Sequence, residues 1–253
     1  MSLVAIFGNY ITPTPAFSPT SISGLTVWLD GADPLATGTA PSTGTTIATW
    51  YDKSGNSYNG TSFGSGTPTM SANGIVFNGA RCYNILLYTC APSTETIFIV
   101  VNTGTIPTSA AVDLVSGKQV GNRQFQLNRF TNRFEINRIG TGGPAGTAAI
   151  PINTRFMYDF TYNQTNTSAY LNGTTDINGQ SSLVYNSNTN TVIGGTIFNG
   201  SLVNALTGTI SEVVIYNSSL GTTDRQIVEG YLAWKWGIQS SLPVGHPYKS
   251  APP

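Results

Sequence analysis

The chain is poor in charge: 9% of its 253 residues are Asp, Glu, Lys or Arg, and the formal net charge is zero. Such a surface presents no basic stripe, which excludes nucleic acid and anionic membrane as expected partners. Histidine is scarcer still. His246 is the only one, so a multi-histidine metal site is excluded and a single candidate imidazole base remains. The two cysteines, Cys82 and Cys90, stand eight positions apart; they could staple a short loop if oxidised, but free thiols are the simpler expectation without a secretory signal. The opening residues Met1 to Phe7 lack a basic region and carry too short an apolar run for a signal peptide. No apolar run reaches membrane-spanning length, so no membrane insertion is expected. An exported chain would travel without a cleaved signal, as a virion component does, and its six Asn-x-Ser/Thr sequons would then carry no N-glycans.

Catalytic signatures are also missing. Hydrolysis of a glycosidic bond usually needs two carboxyls facing each other across the substrate. None of the 11 acidic residues stands two positions from another, so a pair would have to be assembled from distant segments. Neither a phosphate-cradling glycine loop nor a dinucleotide fingerprint occurs. The expectation is that the chain is no enzyme and has no catalytic residues. His246, directly before Pro247, reads as a hydrogen-bonded anchor for the chain's end.

What fills the deficit is Thr, Ser, Asn and Gly, arranged as short strand-like segments between turn clusters from Gly24 onward. That is the pattern of an all-β antiparallel sandwich, expected over about residues 22–220. In Arg155 to Tyr162 the aromatics Phe156, Tyr158, Phe160 and Tyr162 fall on one face and should line the core. The segment 167–173 should pair with it and end in Asn172-Gly173, which supplies positive φ. Phe125/Leu127 and Phe134/Ile136 alternate across a short gap, predicting another hairpin. Arg123, Arg129, Arg133 and Arg138 on it should form a solvated face. Segments 95–101 and 209–216 are apolar without clean alternation, as expected of central strands covered on both faces. The Gly-rich stretches 60–66 and 140–146 read as loops. Residues 1–21, with Ile6, Phe7, Tyr10 and Ile11 ahead of prolines at 13, 15 and 19, read as an extended arm too apolar for a solvated tail. The domain proper is then 22–253.

One helix is expected, near 222–236. Ile227, Val228, Tyr231, Leu232 and Trp234 recur at helical spacing, Gly221 is a weak N-cap, and Gly237 stands where a left-handed C-cap would end it. Core packing is the expectation for Trp28, Trp50 and Trp234. Trp236 falls off the helical face and is the freest to meet a ligand.

The run Tyr231-Leu232-Ala233-Trp234-Lys235-Trp236-Gly237 is followed by Leu242-Pro243 and His246-Pro247-Tyr248, and Trp50-Tyr51-Asp52-Lys53-Ser54-Gly55-Asn56 lies far upstream. With Trp28 to Asp33, Val76 to Gly79 and Gly208 to Asn217, these resemble the laminin G-like, concanavalin A-like lectin/glucanase superfamily. They are most similar to its divergent branch from large-DNA-virus, phage and bacterial surface proteins. The resemblance implies a concanavalin A-like jelly roll with one C-terminal helix. It further implies a lectin-like virion or surface protein, binding glycan or host-surface polysaccharide, or decorating a capsid or fibre. A purely structural assembly protein is the alternative, and a polysaccharide hydrolase or lyase is third. The E-x-D-x-x-E pattern of the glucanases is not found here. The implied location is the virion surface, with contacts to other capsid proteins through residues 1–21 and a possible homo-oligomer. Laminin G-like relatives often hold Ca²⁺. Asp52 and Asn56, joined by Asp30 and Glu212 if the fold brings them together, are the candidate ligands here. The same Asp52–Asn56 stretch also makes a good hydrogen-bonded turn with no ion.

Overall fold

The computed structural model describes residues 17–90, 94–104, 106, 111–117, 123–128, 131–138, 143–181 and 188–253. The strands in chain order are β1 (Leu25–Asp30), β2 (Thr49–Trp50), β3 (Gly60–Gly64), β4 (Thr69–Ser71), β5 (Gly74–Asn78) and β6 (Arg81–Cys90). After them come β7 (Glu95–Thr103), β8 (Ala111–Gly117), β9 (Arg123–Asn128), β10 (Arg133–Arg138), β11 (Arg155–Tyr162) and β12 (Asn166–Leu171). The last are β13 (Thr174–Ser181), β14 (Asn188–Ile193), β15 (Thr196–Phe198), β16 (Ser201–Val203) and β17 (Thr207–Tyr216), before the helix α1 (Thr222–Lys235). They form an antiparallel sandwich. One sheet runs β13-β12-β11-β7-β17-β5-β4 with β1 also on β17, the other runs β10-β9-β8-β14-β6-β3-β2, and β15-β16 is a separate hairpin.

Alternation along the strands decides which side chains meet. Phe156, Tyr158, Phe160 and Tyr162 of β11 all enter the core between the sheets, as expected. Tyr158 there stacks on Phe134 at 4.0 Å between ring centroids. The strands expected to be central are central: in β7, Ile97, Ile99 and Val101 face the core, while Phe98 and Val100 face the other way. Met157, Val214 and Tyr216 join them on that outer face, where α1 lays Val228, Leu232 and Ala233 over them. Removing each such side chain from water contributes roughly 1.5–3 kcal/mol, so packing holds this helix. Gly221 makes no side-chain cap bond. The C-terminus is a Schellman turn, with Ile238 N–H on the Ala233 carbonyl and Gly237 at φ +70°.

Several expectations change. Residues 60–64 are strand β3 rather than loop, because Gly60 lies against Tyr83, whose Cβ would stand 3.1 Å from an added Cβ. On α1, Ile227 and Trp234 are only partly buried, whereas Arg225 and Glu229 are buried with Val228 and Leu232. The face toward the sheet is thus part charged. Trp236, expected to be the freest indole, is buried, and Trp28 is partly covered. Cys82 and Cys90 stand at opposite ends of β6, about 26 Å apart at ~3.3 Å per residue, which rules out a bridge between them. Most of the expected arm, residues 1–16, and Arg129 lie outside the described residues. Of residues 17–21, Phe17 meets the Tyr231 ring at 5.6 Å and the Pro19 carbonyl accepts from the Tyr216 hydroxyl at 2.9 Å.

Candidate functional site

The residues marked in the sequence converge on the seam between α1 and the first sheet. Asp30 and Glu212 are cross-strand partners on β1 and β17. Lys235, from the last turn of α1, reaches both, at 2.8 Å from Asp30 and 2.7 Å from Glu212. Lys53 adds 3.0 Å contacts to Asp30 and Asp33. Glu212 also accepts from the indoles of Trp28 (2.7 Å) and Trp236 (2.6 Å) and from the Tyr231 hydroxyl (2.9 Å). Burial pushes the Glu212 carboxyl up, against the pull of Lys235. Burial would also raise Asp30, but the Lys235 ammonium and further hydrogen bonds carry it below its ordinary value.

This geometry does not fit calcium. Asp52 accepts from the backbone N–H groups of Trp28, Ser54 and Tyr58 and from the Ser54 hydroxyl, all within 3.0 Å. Asn56 turns its amide nitrogen to the carbonyls of Leu25 and Thr26. Asp30 and Glu212 do come together, but Lys53 and Lys235 supply the positive charge beside them. A hard cation needs six to eight oxygens facing inward, and no group of three or more acidic, His or Cys side chains suited to a metal occurs among the described residues. The turn reading of Asp52–Asn56 describes what is present.

A second polar cluster lies further up the same seam, and nothing in the sequence marked most of it. Arg225 and Glu229 form an ion pair one helical turn apart, and Arg225 lies 3.5 Å over the Tyr170 ring. His246 meets Glu229 at 2.9 Å through Nε2 and accepts from the Tyr248 N–H through Nδ1, which assigns the Nε2–H tautomer. It anchors the tail, as its position suggested. Asp159 of β11 is fully buried and finds no N–H or O–H donor for either oxygen. Burial first, then the charge of Glu229, raises it well above its ordinary value. Asp159 on the strand and Glu229 on the overlying helix thus sense each other across the seam. A pair from distant segments, absent as a sequence pattern, is assembled after all, but it is sealed under the helix.

An open cleft lies beyond this seam. At the end of the β12–β13 hairpin a cleft of about 420 Å³ is lined by Leu171, Asn172, Thr174, Thr175 and Asp176, by Thr147 and Ala148 of the preceding loop, and by Ser241 of the tail. Asn172-Gly173, both at positive φ, make the tight turn at its rim. Gly173 is required there, since an added Cβ would stand 3.2 Å from His246 and 3.3 Å from Pro243. Asp176 is held in place by the N–H groups of Thr147 and Ala148, each at 2.7 Å, and by the Tyr158 hydroxyl at 2.7 Å. Asn172 Oδ1 accepts from the Met157 N–H at 2.9 Å, leaving Nδ2 as a donor in the lining. Hydroxyl-bearing residues, an amide and a fixed carboxylate beside the apolar Leu171 and Ala148 can hydrogen-bond a polyhydroxylated ligand. Only Asn172-Gly173 had been singled out in the sequence, and as a turn.

No protein-family model matches the chain, and no curated protein matches it. Solved structures do. A mutant of Trypanosoma rangeli sialidase displaying trans-sialidase activity matches with a TM-score of 0.60 at 14% identity, over 84% of this chain and 33% of that one. The same sialidase in complex with sialic acid gives 0.58 at 15%, over 85% and 33%. Domain 4 of a GH43 extracellular arabinanase from Geobacillus stearothermophilus, in complex with arabinotriose, gives 0.54 at 16%, over 79% and 95%. The chain thus spans about a third of the sialidases' length and nearly all of the arabinanase domain. At these identities the likeness shows the fold alone, an all-β antiparallel sandwich. It also corrects the expectation that the chain is no enzyme. Chains of this fold are parts of a sialidase and of an arabinanase, so a missing carboxylate spacing does not carry that exclusion, and it is withdrawn.

Proposed function

We propose that this chain is a glycan-binding domain whose ligand occupies the cleft at the end of the β12–β13 hairpin. The observation that carries the reading is the lining itself: Thr147, Thr174, Thr175 and Ser241 bring hydroxyls, and Asn172 and Asp176 bring groups whose orientation the fold has fixed. Its volume lies within the ~300–1,000 Å³ of small-molecule sites. A domain of like fold solved with arabinotriose supports the same reading. Saturation-transfer NMR of the purified chain with a panel of soluble oligosaccharides tests it. Transfer to at least one sugar, abolished when Thr175→Trp fills the cleft, is the expected result. No transfer to any sugar, or transfer that Thr175→Trp leaves untouched, overturns it.

The wider setting we propose is a virion or cell surface, in the branch of surface proteins that the Trp-Lys-Trp-Gly and His-Pro-Tyr motifs resemble. A charge-poor surface rich in hydroxyl and amide groups supports it. Immunogold labelling of intact particles and cells that finds the chain only in the cell interior would sink this part.

A further inference from the structure

Resting on the glycan reading, we infer that the cleft selects uncharged sugars and rejects acidic ones such as sialic or uronic acids. Among its lining residues the one charged side chain is Asp176, a carboxylate, and none is a Lys or Arg. Recognition of a sugar carboxylate normally calls for an Arg fork or a clustered ammonium. Here the sign is opposite, and it cannot rotate away: both Asp176 oxygens are tied down, to the Thr147 and Ala148 N–H groups and to the Tyr158 hydroxyl. The cations nearby in the chain are already committed. Lys249 holds the Ser240 and Leu242 carbonyls on either side of Ser241, and Arg225 is paired with Glu229 under the helix.

A neutral sugar meets no such conflict. Its hydroxyls both donate and accept, which matches the Thr and Ser hydroxyls and the Asn172 amide. Leu171 and Ala148 can receive the C–H face of a ring. No aromatic side chain lines the cleft, so hydrogen bonds rather than ring stacking must orient the ligand. This separates the chain from what its fold likeness to a sialidase would suggest by analogy alone.

The test is titration calorimetry of the whole chain against matched pairs: lactose with 3′-sialyllactose, and arabinotriose with trigalacturonic acid. Neutral members should bind, with acidic members at least tenfold weaker at low salt. Thr174→Lys, which places an ammonium in the cleft, should narrow or reverse that ratio, and a circular dichroism melt reports whether it folds. Acidic members binding as well as neutral ones, or a ratio that Thr174→Lys leaves unmoved in a folded protein, overturns the inference while leaving glycan binding in place. Binding to none of the four overturns it together with the reading it rests on.

Discussion

The seam under α1 and the cleft beside Asn172-Gly173 lie on either side of one turn, and they use polar groups in opposite ways. In the seam, Glu212, Asp30, Asp159, Arg225, Glu229 and His246 are all buried; Glu212 and Asp30 meet Lys235, while Arg225 and His246 meet Glu229. In the cleft, Thr147, Thr174, Thr175 and Ser241 are exposed. The conspicuous motif belongs to the first region. Trp236 and Lys235 clamp Glu212, His246 clamps Glu229, and Tyr248 packs so closely on Gly230 that an added Cβ would stand 2.6 Å from it. Gly in a helix interior costs about 1 kcal/mol against Ala, and this close packing explains its place. The motif records how the helix is fastened; the cleft beside Asn172-Gly173 is lined by residues outside it.

If that division holds, Glu212→Ala should have the largest effect. It strands two indoles and a phenol without their acceptor and leaves the Lys235 ammonium to Asp30, and losing one partner of a buried charged network costs about 3–5 kcal/mol. Urea denaturation should show that loss, while the folded fraction still binds sugar. A loss of less than about 1 kcal/mol, the scale of an exposed pair, would erase the contrast.

Asp159→Asn should act in the other direction. The folded protein holds a proton on Asp159 well above a carboxyl's ordinary 3.8, where the unfolded chain gives it up. That contribution is complete only below the unfolded value and fades as pH climbs through the folded one. The amide needs no proton, so the variant should gain on the parent as pH rises through that window, by about 1–2 kcal/mol once past it. Denaturation midpoints measured from pH 4 to pH 8 that stay parallel for the two proteins would refute this raised carboxyl.

In the cleft, Thr174→Ala and Thr175→Ala should leave stability within about 0.5 kcal/mol and weaken sugar binding severalfold. A melting shift of many degrees would place these residues with the seam instead. The smallest effect concerns Cys82, whose thiol burial pushes up to about 12. Thiol titration should find at most one fast-reacting cysteine in the native protein and two after unfolding; two fast thiols in the native state would argue against this packing.

Much of the fold was legible because strand and helix periods write themselves into the sequence. The aromatic face of β11, the hairpin of β9 and β10, the central β7 and β17 and the helix with its Gly237 cap all follow from local spacing. The buried face of α1 was misread for a physical reason: Arg225 and Glu229 look like solvent residues, and only partners from β11, β12 and the tail make their burial tolerable. The lysines beside the candidate calcium ligands were missed on similar grounds, since nothing local says that Lys53 and Lys235 will stand beside Asp30 and Glu212.

The sequence by itself therefore determined the class of the fold and the place of the α-helix, both of which depend on patterns a few residues long. Which charges are buried, which indole is covered and where a cleft opens were decided by tertiary structure. Each depends on segments far apart in the chain: Thr147, Thr174 and Ser241 meet only once the hairpin, the loop and the tail have packed, and hydrogen bonds and Coulomb interactions act across space whatever the separation along the chain.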